Sequence, residues 1–276
     1  KSRWRSSFER SGTSLMLNII QNIFRIEELR QRIYFTLFML FIFRLGAHIP
    51  TPGIDGGALT AFFEAQQGSI LRFFDMFTGG ALARLTVFAL GVMPYISASI
   101  IIQLLTAVFP YLERLSKEGD AGRKKITGYT RYGTIVLSIV QGFAIAVGLE
   151  SMAAPSGQPI VISTLSPWAF RALTVITLTA GTAFLMWVGE QISERGIGNG
   201  ISLLIFAGIV VGIPGAIINS IRLVQDNVLS PLVMILVGLL MIVVIFLVIF
   251  AETAYRKIPV QYAKRMQGNR MFGGQS

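Results

Sequence analysis

Residues 86–105 of the chain read TVFALGVMPYISASIIIQLL, a stretch of twenty residues without a charged side chain. A helix of this length crosses the ~30 Å hydrocarbon layer of a lipid bilayer. The apolar run is continuous, whereas a membrane-spanning β-strand would alternate apolar and polar residues. A helix also satisfies its own backbone hydrogen bonds in lipid. The stretch therefore predicts a transmembrane helix.

Similar runs recur before and after this stretch. Together they predict an all-α integral membrane protein with six transmembrane spans, at Ile33–His48, Thr86–Phe109, Tyr132–Leu149, Ala172–Gly189, Ile201–Ile221 and Asn227–Ala251. Only 14% of the residues are charged, against about 25% in an ordinary soluble domain. This deficit agrees with lipid as one of the solvents of the chain.

The second span contains features that are unusual in a plain membrane anchor. Gly91 and Pro94 predict a kink, because proline removes a backbone hydrogen bond in mid-helix. Ser97, Ser99 and Gln103 place polar groups at membrane depth. Such groups either bond to neighbouring helices or face a water-filled path, and the residues alone leave both interpretations open.

Lysine and arginine are concentrated in the N-terminal region, the connection after span two and the C-terminal segment. Because basic loops stay in the cytoplasm, this alternation predicts that both ends of the sequence are cytoplasmic. It accounts for the net charge of +10 better than a DNA-binding domain does, although basic loops also suit ribosomal RNA. Cys is absent and His48 is the single His, which excludes disulfides and most zinc sites. We expect no cofactor.

Three segments outside the spans have patterns of their own. Residues 1–15 are polar and basic without periodicity, and we expect them to be a leader foreign to the rest, with the natural start at Met16. Residues 16–32 predict an amphipathic helix on the cytoplasmic membrane surface. Residues 68–80 (GSILRFFDMFTGG) are too short to span and predict a re-entrant helix, with the final glycine pair as a hinge.

The connection between spans four and five reads EQISERGIGNG at residues 190–200. Its three glycines and Asn199 predict a tight turn with positive φ angles. The turn is similar to a phosphate-binding loop, but it lacks the Lys-Ser/Thr pair and does not follow a strand. Nucleotide binding is therefore not favoured.

Two stretches together resemble the signature regions of the SecY family of protein-conducting channels. They are TVFALGVMPYISASIIIQLL at 86–105 and WVGEQISERGIGNGISLLI at 187–205. The resemblance extends from about Met16 to Ser276 and includes RLGAHIPTPGID after the first span, GRKKITGYTRYGT before the third and YAKRMQG near the end. Residues 1–15 do not resemble the family.

The resemblance implies a SecY-type bundle of ten spans, arranged as two inverted halves around a pore. Residues 33–221 would form the first half, including the plug at 68–80. Residues 222–253 would contain the sixth span, and 254–276 would begin the cytoplasmic loop that follows it. The remaining four spans are expected outside this sequence.

The resemblance also implies residues for the pore and the gate. Val92, Ile96 and Ile205 match positions of an apolar ring, which would seal around a passing chain and resist wetting. The family's plug matches an apolar set in the short segment, namely Ile70, Leu71, Phe73, Phe74, Met76 and Phe77. The polar side chains of span two fall on one side of the lateral gate that opens to lipid, namely Ser97, Ser99 and Gln103.

For function, the resemblance implies passage of unfolded preproteins across the bacterial cytoplasmic membrane and release of membrane-protein helices into it, with no catalysed reaction. The implied partners are the SecE and SecG subunits, the SecA motor ATPase, the ribosome with its nascent chain, signal sequences and membrane lipid. Basic side chains suit the phosphates of ribosomal RNA. Those that match regions where the family meets the ribosome or SecA are Arg195, Lys257, Lys264, Arg265 and Arg270.

Two other classes of function fit part of the pattern. A small-solute secondary transporter would use the broken helix before span two and the Gly-Pro kink, but spans two to six offer no internal acid or base to couple an ion. An intramembrane enzyme would need a His, a Cys or paired carboxylates within the spans. The sequence places none of these there. Glu190 and Glu252 lie instead at span ends, and Asp75 lies in the short segment.

Overall fold

The computed structural model describes residues 26–65, 75, 78–152, 157, 159–162, 166–226 and 228–255, and the backbone of 265–267 and 270–272. The chain divides into two compact units, Lys1–Gly215 and Ala216–Ser276. The predicted leader, the first part of the predicted surface helix at 16–25, and the plug residues Ile70, Leu71, Phe73, Phe74, Met76 and Phe77 lie outside the described residues. So do Lys257 and Lys264.

The described residues form eight helices and one β-hairpin. The helices are α1 Glu27–Gly46, α2 Gly56–Ala65, α3 Met93–Val108, α4 Pro110–Lys117, α5 Asp120–Ser151, α6 Pro167–Arg195, α7 Gly200–Gln225 and α8 Pro231–Thr253. The strands are β1 Arg265–Gln267 and β2 Arg270–Phe272, paired antiparallel.

Four described helices, α5 to α8, are long and apolar enough to cross a membrane. A fifth span is added if α3 and α4, which meet at a bend of 100°, are taken as one broken span. α1 begins at Glu27 and runs without a break through the boundary predicted at residue 33. Its charged residues, Glu27 and Glu28 at one end and Arg44 at the other, make it the least apolar of the long helices, and six spans remain a prediction.

The second predicted span is shorter than the sequence indicated. Thr86 forms an isolated β-bridge with Pro50, residues 87–92 form turns, and the helix begins only at Met93. The expectation of a proline kink in mid-helix was wrong, because Pro94 lies in the first turn of α3, where proline needs no hydrogen-bond donor. Gly91 has a φ of +58°, a left-handed conformation that ends helical geometry before the proline.

The central packing of the first unit is between α5 and α6. Residues of α5 at four-residue spacing are buried against α6, and most are small, namely Thr134, Ser138, Gly142 and Ala146. Small side chains let two helices approach closely. A Cβ atom at Gly142 would lie 3.6 Å from the Cα atom of Val175 on α6.

The irregular segment 86–92 lies directly on α6. A Cβ atom at Gly181 would overlap the carbonyl oxygen of Val87 and lie 2.8 Å from its carbonyl carbon. Phe88 stacks between Phe43 of α1 and Phe184 of α6, with ring centroids 6.1 and 5.9 Å apart. The segment is therefore held by backbone contact on one helix and by aromatic stacking on two.

The connections of the first unit alternate between its two ends. At one end, Nη1 of Arg32 in α1 donates to the carbonyl oxygen of Gly196 in the turn before α7, at 3.4 Å. At the other end, an isolated β-bridge pairs Ile54, after α1, with Val161, after α5. This arrangement agrees with the alternation of basic and neutral connections in the sequence.

The second unit contains the end of α7, all of α8 and the β-hairpin. Ser230 caps α8 by accepting a hydrogen bond from the Val233 amide at 3.4 Å, and Pro231 occupies the first turn. None of the described residues of α8 is buried. A helix that is apolar on every side needs lipid or other protein around it.

Candidate functional site

The three residues predicted for the pore ring lie in one apolar cluster of the first unit. Val92 is 8% exposed, and Ile96 and Ile205 pack as partly buried side chains against the same cluster. Val92 precedes α3, and the Ile96 amide donates to its carbonyl oxygen at 3.1 Å, so the two side chains are one turn apart. Ile205 comes from α7, more than a hundred residues later. The fold therefore brings both predicted sources of the ring together.

The end of the predicted plug segment packs on α7, the helix that carries Ile205. Gly79 and Gly80 have φ angles of +67° and +83°, which favour glycine and agree with the predicted hinge. A Cβ atom at Gly79 would lie 3.1 Å from the carbonyl oxygen of Gly208 on α7. Two backbones thus approach without side chains between them.

Asp75 anchors the turn at the end of the plug segment. The side chain is 6% exposed, and its Oδ1 atom accepts a hydrogen bond from the Ala83 amide at 2.8 Å. Its carbonyl oxygen accepts hydrogen bonds from the amides of Thr78 and Gly80, at 3.1 and 3.0 Å. The carboxylate had been noted in the sequence only as a charge in an apolar segment, and the structure gives it a local structural role.

The polar residues of α3 border a cavity of about 440 Å³. Ser99 and Gln103 line it, and the Gln103 amide nitrogen donates to Ser99 Oγ at 3.1 Å. Ser97 is half-buried on the same helix. Ser99 and Gln103 therefore bond to each other within α3, at the wall of a cavity, and a water-filled path at this place stays a prediction.

The opposite wall of this cavity contains an ion pair that sequence reasoning missed. Arg131 of α5 donates from Nε to Oε1 of Glu190 on α6 at 2.8 Å, and its Nη2 atom lies 2.8 Å from Oε2. Glu190 is 16% exposed at its side chain. Both residues stand in quoted motifs, GRKKITGYTRYGT and WVGEQ, but a pair 59 residues apart has no local pattern that would join them.

The glycine-rich turn between α6 and α7 is closely packed. A Cβ atom at Gly196 would lie 2.5 Å from Oγ1 of Thr36 on α1, and that oxygen accepts a hydrogen bond from the Ile197 amide at 3.2 Å. Gly198 has the positive φ that the sequence predicted, +71°. Asn199 caps α7 through Oδ1, which accepts hydrogen bonds from the first amides of the helix at 3.1 and 3.3 Å.

Comparison with known proteins identifies the family. A family model described as SecY matches residues 86–276. The chain belongs to the SecY family. This confirms the resemblance that the two signature stretches indicated.

The SecY relatives cover almost all of this chain. Protein translocase subunit SecY of Escherichia coli (strain K12) is 53% identical over 249 residues, which are 90% of this chain and 55% of the relative. Protein translocase subunit SecY of Buchnera aphidicola subsp. Acyrthosiphon kondoi is 52% identical over 249 residues, 90% of this chain and 69% of the relative. The chain thus spans about half the length of the Escherichia coli protein. These relatives give no support to a small-solute transporter.

A solved structure supports the SecY-type fold. Sec61 in the canine ribosome–channel complex from the endoplasmic reticulum superposes with a TM-score of 0.57 and 22% identity, covering 84% of this chain and 49% of that one. At this identity the similarity establishes the fold alone. The predicted fold class, a SecY-type helical bundle, is confirmed.

The basic residues predicted for partner binding are only partly described in this SecY-family chain. Arg195 ends α6 and is exposed. It borders a surface cavity with Glu194 of α6 and with Glu28 and Arg32 of α1. Arg265 and Arg270 lie in the short strands β1 and β2. Their role in binding stays a prediction.

Proposed function

We propose that this chain is part of the channel subunit of a bacterial protein translocase. It passes unfolded preproteins across the cytoplasmic membrane and releases membrane-protein helices into the bilayer, and it catalyses no reaction itself. The observation that carries the proposal is the apolar cluster in which Val92, Ile96 and Ile205 meet. An apolar constriction resists wetting, so it seals an idle pore and still deforms around a chain.

The plug segment and the gate complete this proposal. Residues 70–80 close the pore next to the ring, and the hinge at Gly79 and Gly80 allows the segment to leave. Ser97, Ser99 and Gln103 line one side of the lateral gate, where an apolar signal sequence partitions between channel and lipid. Support comes from the positive φ angles of both glycines and from the cavity beside Ser99 and Gln103.

The cytoplasmic side of the channel is the end that holds the turn at 196–199 and the start of α1. The basic connections predict this orientation, with both ends of the sequence in the cytoplasm. We propose that Arg195, Lys257, Lys264, Arg265 and Arg270 bind the ribosome or the SecA motor on this side. SecE and SecG are the expected subunits in the membrane.

The pore assignment is tested by ion conductance. Replacing Ile96 and Ile205 with Ser in the complete channel complex should leave a wider gap that water wets, so single-channel conductance without substrate should rise in planar bilayers. Deleting the plug as well should raise it further. Leu104→Ser is the matched control, since Leu104 lies on α3 but is 64% exposed. Ring variants that leak no more than this control would place the seal elsewhere.

A further inference from the structure

Helices α5 and α6 are joined at both ends by ion pairs of reversed polarity. At one end Arg131 of α5 forms its two contacts with Glu190 of α6. At the other end the acid belongs to α5: Nη2 of Arg171 on α6 lies 2.6 Å from Oε2 of Glu150, and its Nε atom lies 3.0 and 3.1 Å from the two carboxylate oxygens. Both pairs have the two-pronged geometry in which guanidinium and carboxylate bind most strongly.

The spacing of the two pairs matches the thickness of a membrane. They are nineteen residues apart on α5 and nineteen on α6, which is about 28 Å of helix at ~1.5 Å per residue. The hydrocarbon layer is ~30 Å thick, so one pair lies near each surface. A parallel arrangement of the helices would oppose Arg131 to Arg171 and Glu150 to Glu190. The charges therefore specify the antiparallel register.

The pair formed by Arg131 and Glu190 lies beside α3. α3 packs on α5, where a Cβ atom at Gly133 would lie 3.5 Å from the Cβ atom of Ala98. The ion pair and the α3 residues Ser99 and Gln103 border the same cavity. Holding α5 on α6 therefore fixes the distance across that cavity.

We propose that Arg131 and Glu190 are positioning residues of the lateral gate. Their ion pair holds α5 in register on α6, so that α3, α5 and α6 move as one unit when the gate opens. The proposal rests on the proposed channel function, and it extends that function by assigning the width of the gate cavity to one ion pair. Loss of the pair widens the cavity, and the channel then discriminates less between an intact signal sequence and one with a shortened apolar core.

Charge reversal tests this role in the complete membrane complex. The variants are Arg131→Glu, Glu190→Arg and the two combined, and the measurement is the translocation rate of a preprotein with an intact signal sequence relative to one with a shortened apolar core. Each single change should lower this ratio roughly three- to tenfold, as expected for directly coupled residues. The double variant restores the pair and should restore the ratio.

The pair at the other end supplies the matched control. Glu150→Arg and Arg171→Glu remove an ion pair of the same kind far from the cavity, so they should slow both preproteins equally and leave the ratio unchanged. A double variant whose effect is the product of the two single effects would overturn the proposal. A control that changes the ratio as much as Arg131→Glu would do the same.

A cross-link tests the movement with the charges intact. The chain contains no Cys, and Gly142→Cys with Leu178→Cys would place two Cβ atoms 3.8 Å apart where α5 and α6 are in contact, within the separation a disulfide requires. Oxidation should leave translocation at the rate of the reduced protein, whereas a loss on oxidation shows that the helices separate and overturns the proposal. A parent complex that translocates no preprotein would instead count against the channel function itself.

Discussion

Gly181→Ala should destabilise the protein, because the backbone of Val87 leaves no room for a methyl group at this position. The Cβ atom of Gly181→Ala would overlap the Val87 carbonyl oxygen and lie 2.8 Å from its carbonyl carbon. Real Cβ atoms keep at least 3.0 Å from such atoms, so α6 or the segment of Val87 would have to move. The obstacle is backbone, which the Ile49 carbonyl also holds through the Val87 amide at 3.0 Å. We therefore take the upper range for overpacking, about 3 kcal/mol. Alanine favours the helix over glycine by roughly 0.5–1 kcal/mol, so the free energy of unfolding should fall by about 2 kcal/mol in total.

The matched control is Gly148→Ala on α5, where a Cβ atom would meet nothing within 4 Å. This change should be neutral or slightly stabilising, because only the helix propensity remains. Thermal unfolding of the complete complex in detergent compares the two variants. Since Val87 belongs to the segment that ends at Val92, Gly181→Ala should also raise ion conductance through the idle channel. Equal stability and equal conductance of the two variants would refute the packing argument.

Three further predictions concern single contacts. Charge reversal at Arg265 and Arg270 should weaken binding to ribosomes or SecA more at low salt than at high salt, because the contact is ionic. Binding titrations of variant and parent that agree at every salt concentration would leave these residues only a role in topology. Thr36→Val should speed hydrogen exchange of the Ile197 amide about fivefold, because it removes one hydrogen bond of about 1 kcal/mol. Thr36→Ser keeps the hydroxyl and should leave the exchange rate unchanged. Asp75→Ala should lower stability by roughly 1–3 kcal/mol, since it leaves a buried amide unpaired, and an unchanged melting temperature would contradict that.

The sequence was sufficient for the long helices and insufficient for the start of the second span. Apolar runs identify α5 to α8 because length and hydrophobicity alone decide whether a helix fits a bilayer. The same criterion extended the second span back to Thr86, since residues 86–92 are as apolar as the helix that follows. Their irregular backbone depends on contact with Gly181 and on stacking of Phe88, and no local pattern reports either contact.

The sequence predicts features of the candidate site that depend on the type of a single side chain. It does not predict features that depend on contact with a distant residue. The apolar character of Val92 and Ile96 is evident one turn apart in the sequence. The sequence places Glu190 only at the end of a span, because its partner Arg131 is 59 residues away. Thr36 gave no signal at all, although it fixes a turn 161 residues later. Ion pairs and hydrogen bonds between distant segments require the fold to be known.

The irregular backbone of residues 86–92 supports the proposed pore assignment. Backbone that is not helical is stable at membrane depth only where protein buries it or where it borders a water-filled space. Here the amides of Val87, Ala89 and Gly91 donate to carbonyl oxygens at 3.0, 2.9 and 2.8 Å, and every residue of the segment except Val87 is buried by protein. The segment ends at Val92, which lies in one apolar cluster with Ile96 and Ile205. A buried turn that ends in a valine beside two isoleucines is the arrangement that the proposed dry constriction needs, because apolar side chains resist wetting.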